Sequence, residues 1–505
     1  MSDFDKNRIY DDGPHPRSTP RYSGPISPEN IKNIFADCAD FEIREIIPAL
    51  GTPETVTACW LDGVVSGTNV SEDVLRPLTD PRRLIDAGDG EDLLTLMQRG
   101  AVYSYSVKRR DTLDDLVGDI VQGFCAVIVP SAEAAVTFET RTANSRSISE
   151  PSMEKSVKGA KDAFVETLRI NTSLVRRKLR TPQLKVVQTL VGRKSSTTAA
   201  VMYVDRIADQ DIVDELLRRI NSIDIDGLLA AGDLEEYVVD NPNTPLPQML
   251  HTERADKFAM LLLDGRIGVI VDGLPLGFLL PATFAAFMRV PEDSAQHYTV
   301  ATALTLLRWI ALVLALVFPA FFVAISMYHQ EMIPTKLLQS MVNAKLQVPF
   351  GVASEVLGML ISFELLQEAS LRLPSSVGQT ASIIGALIVG QSAVEASVVS
   401  PIAVIVVALS GISGHISPSQ DLSSALRLFR MALVLSAVAA GLFGLMAGLA
   451  LLCWHMCSIE SFGVAYTYPV TDGDGGFSRV LMRRPLRNYK FREAGMNCRD
   501  KRGQR

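Results

Sequence analysis

Apolar positions change their spacing several times along the chain. In TVTACWLDG (55–63), FCAVIVP (124–130) and AAVTFET (134–140) they run together and stop at Gly, Pro or charged residues, which predicts buried strands. The second and third are close enough to pair as a hairpin. DTLDDLVGDIVQG (111–123) and DAFVETLRINTSLVRRKL (162–179) place apolar residues at helical spacing and predict amphipathic helices. LKVVQTLVG (184–192) and TTAAVMYVD (197–205) read as strands, and DQDIVDELLRRINSI (209–223) as a helix with an Asp at its start as the N-terminal cap. RIGVIVDGLPLGFLLP (266–281) reads as a hairpin across an Asp-Gly turn. With the Pro-containing link SISEPS (147–152) between them, residues 29–140 and 141–295 form two α/β lobes. Residues 1–28, rich in Pro, Ser, Asp and Arg, read as a disordered tail.

From about residue 301 the polar positions thin out, and residues 296–460 read as an all-α transmembrane domain. Trp309 to Tyr328 carries no charge, with Pro319 as a place for a kink, and is long enough to cross the hydrocarbon of a bilayer. VPFGVASEVLGMLISFELLQEAS (348–370) holds Glu355, Glu364 and Glu368, too polar for a lipid-facing helix, and reads as re-entrant or protein-enclosed. Two further spans, 378–397 and 398–415, are divided near Ser400-Pro401. A last span, about 431–457, has no Asp, Glu, Lys or Arg and carries Ala437, Gly441, Gly444 and Gly448, a small-residue face for close helix contact. The tail, 461–505, turns basic after residue 478, which favours the cytoplasmic side. The N-terminal domain, with no apolar leader before it, is expected there too. Both ends inside require an even number of crossings. The expected fold is therefore a two-lobed α/β cytosolic domain followed by about four full spans and one re-entrant or enclosed helix.

Composition agrees with this division. The chain has 505 residues, 48% hydrophobic and 21% charged, and a net charge of -7, so no global basic field draws it to nucleic acid. Its six cysteines form no C-x-x-C pair, and neither a disulfide framework nor a metal site is expected. VGRKSS (191–196) ends like a phosphate loop, but the first Gly is missing and Arg193 interrupts the Gly-Lys step. No catalytic constellation can be assembled from the six scattered histidines, so neither an enzyme nor a cofactor is expected. The basic run RRKLR (176–180) reads either as a solvated helix face or as a contact with anionic headgroups or an acidic partner.

The membrane carboxylates carry the functional question. Glu355 and Glu364 are nine residues apart, about 180° of helix rotation, so they do not share a face. Glu364 and Glu368 do, and so do Gln391 and Glu395. Each is either a structural hydrogen-bonding group or a lumen-facing group, and a ring of such carboxylates from several subunits would select cations.

Long ordered stretches also carry a family likeness. They include SRSISEPSMEKSVKGAKDAFVETLRINTSLVRRKLRTPQLKV (145–186), SIDIDGLL (222–229), DNPNTPLPQMLHTERADK (240–257), PEDSAQHY (291–298), HQEMIPTKLL (329–338), VGQTASIIGALIVGQSAVEASVVSPIAVIVVAL (377–409) and SFGVAYTYP (461–469). Over about residues 45–468 the chain resembles the A subunits of GerA-type spore germinant receptors, including the related stage V sporulation protein AF. The resemblance implies an integral protein of the spore inner membrane with a two-lobed cytosolic domain. It implies a transporter-like B subunit and a lipoprotein C subunit as partners. It also implies a ring-shaped homo-oligomer, a pentamer, that releases monovalent cations when nutrient is sensed. Other readings left open are a non-conducting scaffold or signal relay in the same complex, a stage V paralogue that amplifies release, and a transporter with an internal site.

Overall fold

A computed structural model of the chain describes residues 22–48, 55–80, 89–102, 104–142, 151, 154, 159–372, 388–471, 476–483, 485, 491–492, 494–496 and 498–502. The disordered tail is expected mostly in residues outside these, as are most of the 147–152 link and the first half of the 378–397 span. The chain separates into two compact units: Met1–Val238, His251–Pro281 and Lys490–Arg505 in one, Val239–Leu250 and Ala282–Tyr489 in the other.

The first unit holds two five-stranded sheets. Helix α1 (Pro28–Ile34) opens it, started by Ser27, whose hydroxyl accepts from the Asn30 N–H, and by Pro28 at its first position. Strands β1 (Phe41–Ile46), β2 (Val56–Leu61), β3 (Val107–Arg110), β4 (Phe124–Val129) and β5 (Ala134–Glu139) pair antiparallel in the order β1-β2-β4-β5-β3. The continuous apolar runs have a plain cause: β2 and β4 are buried on both faces. Cys59, Leu61, Ala126 and Ile128 face α1 and helix α2 (Leu113–Val121). Val56, Ala58, Val127 and Val129 face the opposite layer, with Val74, Leu93 and Leu94. The expected hairpin of 124–140 is present, with Val127 opposite Val136.

Helix α3 (Leu168–Lys178) begins six residues later than its apolar spacing predicts. The reason is local. The buried Asn171 side chain accepts from the Val165 N–H at 2.8 Å and donates to the Val165 carbonyl at 2.5 Å. These bonds hold 162–167 extended, and Asp272 accepts from the first helical N–H, that of Leu168. Strands β6 (Leu184–Val191), β7 (Thr197–Val204), β8 (Leu250–Thr252), β9 (Ile267–Val271) and β10 (Gly277–Leu280) form the second sheet in the order β6-β7-β9-β10-β8. Helix α4 (Gln210–Asn221) is capped by Asp209 as expected, and β9 and β10 pair across the Asp272-Gly273 turn, where Gly273 has φ +86°. Helix α5 (Ala255–Leu263) lays the Phe258 ring over Gly268 and Gly277, where any Cβ would collide with it. The 191–196 turn carries two exposed ion pairs, Arg193 with Asp224 and Lys194 with Asp226, and resembles no phosphate cradle.

The lobes are joined by main-chain bonds and a buried charge pair. Ala39 N–H donates to the Val186 carbonyl at 2.8 Å, and Val186 N–H to that of Asp37 at 3.0 Å. Arg176 is 2% exposed and forks onto both Asp40 oxygens at 2.7 and 2.8 Å. Burial pulls the Arg176 pKa down, but the adjacent Asp40 carboxylate outweighs it and the net shift is upward. Both sequence readings of RRKLR are thereby corrected at Arg176, which is neither solvated nor on a lipid surface. Arg177 and Lys178 are also tied, to the Thr142 carbonyl and to Asp162. Part of the basic tail is likewise packed: Arg492 donates to the carbonyls of Leu263, Asp500 and Arg502.

The second unit is helical. Helix α6 (Tyr298–Tyr328) runs 31 residues with Pro319 inside it. Helix α7 (Thr335–Lys345) buries no side chain within the unit. Helix α8 (Val352–Arg372) is one element of 21 residues, about 31 Å long, with no reversal of the re-entrant kind. Helix α9 (Pro401–Gly414), capped by Ser400, has 14 residues and reaches only about 21 Å. Helix α10 (Gln420–Ser458) has 39 residues and is not straight: Ala440 (φ -143°, ψ 21°) and Gly441 (φ 62°, ψ -139°) leave the helical region.

The chain folds back at that point. The Phe429 and His455 ring centroids lie 6.3 Å apart, where a straight helix would separate the residues by about 39 Å. A Cβ on Gly448 would meet Leu433 at 2.7 Å. Residues 420–439 and 442–458 are therefore two antiparallel arms, which corrects the single span expected at 431–457. The tip lies against the far end of α6, where Tyr328 Oη donates to the Val438 carbonyl at 2.6 Å. The second arm returns to the end where α6 begins. There His455 meets Thr244 at 2.8 Å, and Phe284, after donating its N–H to the Tyr466 carbonyl, packs on Trp309. By length and composition α6 and α10 are apolar enough to cross a membrane, with mean hydropathies of 2.7 and 2.2 over their most apolar stretches.

Arg176→Met leaves Asp40 buried without its counter-charge and is expected to cost about 3–5 kcal/mol, most of it recovered when Asp40→Leu is added. Urea unfolding of the wild type and both variants measures the two effects. Burial pushes the Cys59 thiol up to about 12 and raises that of Cys125, so both stay protonated at neutral pH. Iodoacetamide at pH 8 is expected to spare them in the folded chain and alkylate them in urea, read by peptide mass spectrometry.

Candidate functional site

The polar residues of the helical unit fall into two groups. The first is turned inward. Glu355 is 3% exposed and accepts from the Ser400 N–H at 3.2 Å and from its hydroxyl at 2.8 Å. It thus sits at the N-terminus of α9, where the helix dipole favours a negative charge. Lys345 lies 3.9 Å from its other oxygen. Glu364, two and a half turns further along α8, is paired with Arg430 of the first α10 arm and lies 3.5 Å from Arg427. Arg430, 4% exposed, also donates to Ser410 Oγ at 3.3 Å, and that hydroxyl donates to the Ala315 carbonyl of α6 at 2.8 Å. One polar chain thereby connects α8, α10, α9 and α6.

The second group is exposed on the unit. Gln391 donates to Glu395 at 2.9 Å, and both face outward in a segment that ends just before Ser400. Glu368 is exposed on α8, one turn from Glu364. The nine-residue separation of Glu355 and Glu364 does put them against different neighbours, Ser400 and Arg430. The described residues hold no cluster of three or more His, Cys, Asp or Glu arranged for a metal ion.

The small residues serve the hairpin. Ala437, Gly441 and Gly444 are buried, and a Cβ at Gly444 would run into the Ser436 carbonyl. Close contact is made between the two arms of one chain, and Gly441 supplies the left-handed φ of the turn. Arg427, Arg430, Ser400 and Ser410 are the site residues that sequence reasoning missed. Arg430 stands immediately before the apolar run, in SALRLFRMALVL, and a pair of arginines three apart, with three glutamates in 348–370 that need counter-charges, was the available signal.

Glu364→Gln leaves a buried guanidinium without its counter-charge, a change of about 3–5 kcal/mol where burial is complete. It is expected to lower the protein level and the melting temperature in detergent. Adding Arg430→Gln is expected to restore part of both, read by immunoblot and thermal shift.

Comparison with known proteins follows the same architecture along the chain. The model of the Bacillus/Clostridium GerA spore germination protein family matches residues 29–494. Spore germination protein KA of Bacillus subtilis (strain 168) is 35% identical over 471 residues, 91% of this chain and 85% of its own. The membrane protein YfkQ of the same organism is 34% identical over 448 residues, 88% of this chain and 86% of its own. Spore germination protein A1, also of Bacillus subtilis, is 31% identical over 404 residues, 79% and 83% of the two chains. The crystal structure of the N-terminal domain of the A subunit of the Bacillus megaterium spore germinant receptor GerK3 is 29% identical, with a TM-score of 0.41, and the match covers 50% of this chain and 92% of that one. With a family match over most of its length and relatives above 30% identity along nearly all of it, the chain belongs to the GerA spore germination protein family.

Proposed function

We propose that the chain is the membrane subunit of a spore germination receptor and that copies of it form a cation-conducting ring in the spore inner membrane. Family membership supports the receptor role, and the relatives named as spore germination proteins and as a membrane protein support the location. The surface of the helical unit agrees with lipid contact: Leu307, Ile310, Ile405, Leu435, Phe443 and Trp454 stand exposed along α6, α9 and both arms of α10. The chain enters α6 and leaves α10 at the same end of the unit, which supports an even number of crossings with the α/β lobes and the tail on one side, the cytoplasm.

Helices α8 and α9 run in the same direction, with Glu355 beside Ser400 and Gln367 near His415. Among the described residues, α6, α8, α9 and the two arms of α10 run along the unit. Partners in this reading are a transporter-like B subunit that senses nutrient and a lipoprotein C subunit.

The observation that carries the channel reading is the outward pair Gln391–Glu395. Glu355 and Glu364 are held by groups of the same chain. Among the described residues Glu395 has only Gln391, one turn away, as a hydrogen-bond donor, and it faces out of the protomer. A carboxylate so placed in an apolar region is suited to a lumen formed between copies. The second reading, a non-conducting scaffold or relay, is favoured by the Glu364–Arg430 pair, which gives α8 a structural reason to be polar.

Potassium release from germinating spores carrying Glu395→Gln, with the protein level followed by immunoblot, separates the two. A normal level with altered release is expected. Normal level and normal release would remove Glu395 from the ion path and leave the scaffold reading standing.

A further inference from the structure

A pocket opens in the helical unit between α6, α8, α9 and the first arm of α10. Its walls are apolar, from Leu312, Ala315, Phe363 and Leu426. Two arginines line it. Arg430 spends two nitrogens on Glu364 and Ser410, and its Nε is buried with no partner. Arg427, with its side chain 25% exposed, touches only Glu364, at 3.5 Å, and makes no hydrogen bond among the described residues. Two guanidiniums against one carboxylate leave the pocket one positive charge in excess, and several N–H donors unspent. In apolar surroundings an unspent donor is costly, so the site favours an anion.

The position says which anion. Leu312 and Ala315 stand one and two turns beyond Arg308, which is fixed at the entry end of α6 by both oxygens of Asp293, at 2.6 and 2.7 Å. The pocket is therefore near one edge of the apolar part of the unit, with His415, Gln367 and Ser417 on its lining and exposed apolar helix faces beside it. We propose that it holds the phosphate of an anionic membrane lipid. Guanidiniums take phosphate oxygens in a fork, and basic pockets between membrane helices near the cytoplasmic edge suit such headgroups. The apolar wall gives the first part of an acyl chain a surface that a free phosphate ion would not use.

The proposal rests on the membrane reading of this unit, so carbonate extraction of membranes is done first. Release of the chain into the soluble fraction would sink that reading and this one with it. If the chain stays, the full-length protein in mild detergent is offered phosphatidylglycerol or phosphatidylcholine and the bound lipid counted by native mass spectrometry. The wild type is expected to retain phosphatidylglycerol preferentially. Arg427→Gln is expected to weaken that retention about fivefold, the weight of one arginine near a charged membrane surface, and Arg427→Lys to keep most of it. Arg427 is partly exposed and makes no hydrogen bond among the described residues, so its replacement does not threaten folding as a change at Arg430 would. Undiminished retention in Arg427→Gln would overturn the site. Displacement of the lipid by inorganic phosphate, with the same dependence on Arg427, would overturn the lipid as its occupant.

Discussion

A guanidinium inside an apolar helical unit has to keep a counter-charge and acceptors for its N–H groups, and Arg430 arranges the surrounding helices to that end. Its contacts pass from α10 to Glu364 on α8, to Ser410 on α9 and through that hydroxyl to the Ala315 carbonyl on α6. Around this chain the packing is apolar and unspecific in direction: Leu316, Val356, Leu360, Val407 and Leu433. Between helices surrounded by lipid, apolar side chains gain little by meeting one another, so hydrogen bonds and close small-residue contacts decide rotation and register. The polar chain fixes which faces of α8 and α9 turn inward, and Glu355 on Ser400 repeats the device at the start of α9.

The α/β unit uses the same constraint at one place, Asp40 with Arg176, where two sheets from different parts of the chain are brought together. Here the pair is flanked by a main-chain bridge between Asp37–Ala39 and Val186. The bridge gives direction and the charge pair excludes alternatives, since sliding the lobes would strand either charge in a dry interior.

The strands and most helices of this unit were legible because burial on one or both faces writes itself into apolar spacing. FCAVIVP and AAVTFET are unbroken because both faces of the sheet are covered. The start of α3 was not legible. DAFVET continues the helical spacing, and only the tertiary position of Asn171 and Asp272 shows that its main chain is bonded elsewhere. The α10 hairpin was hidden for a related reason. AVAAGLFGLMAG contains no Pro, Asn or Asp, because a turn made in apolar surroundings needs only Gly441 at positive φ and room at Gly444 for the opposing carbonyl. What reads as a small-residue face for a neighbouring helix is the inside of a bend. Arg430 was missed because it stands one residue outside the apolar window.

These corrections change how the membrane carboxylates are weighed. Sequence alone treats Glu355, Glu364, Glu368 and Glu395 as equivalent, since each costs the same to bury. In the folded chain the cost is met differently at each. Glu355 has a helix N-terminus and Glu364 has two arginines, so neither presents a free negative charge to a cation. Neutralising either from within also means that moving it would break the contacts that set the helix register. Glu395, hydrogen-bonded to Gln391 one turn away and facing out of the protomer, has no such tie to another helix among the described residues. If copies assemble around that face, the charge that a single chain leaves at its surface becomes the charge of the ring.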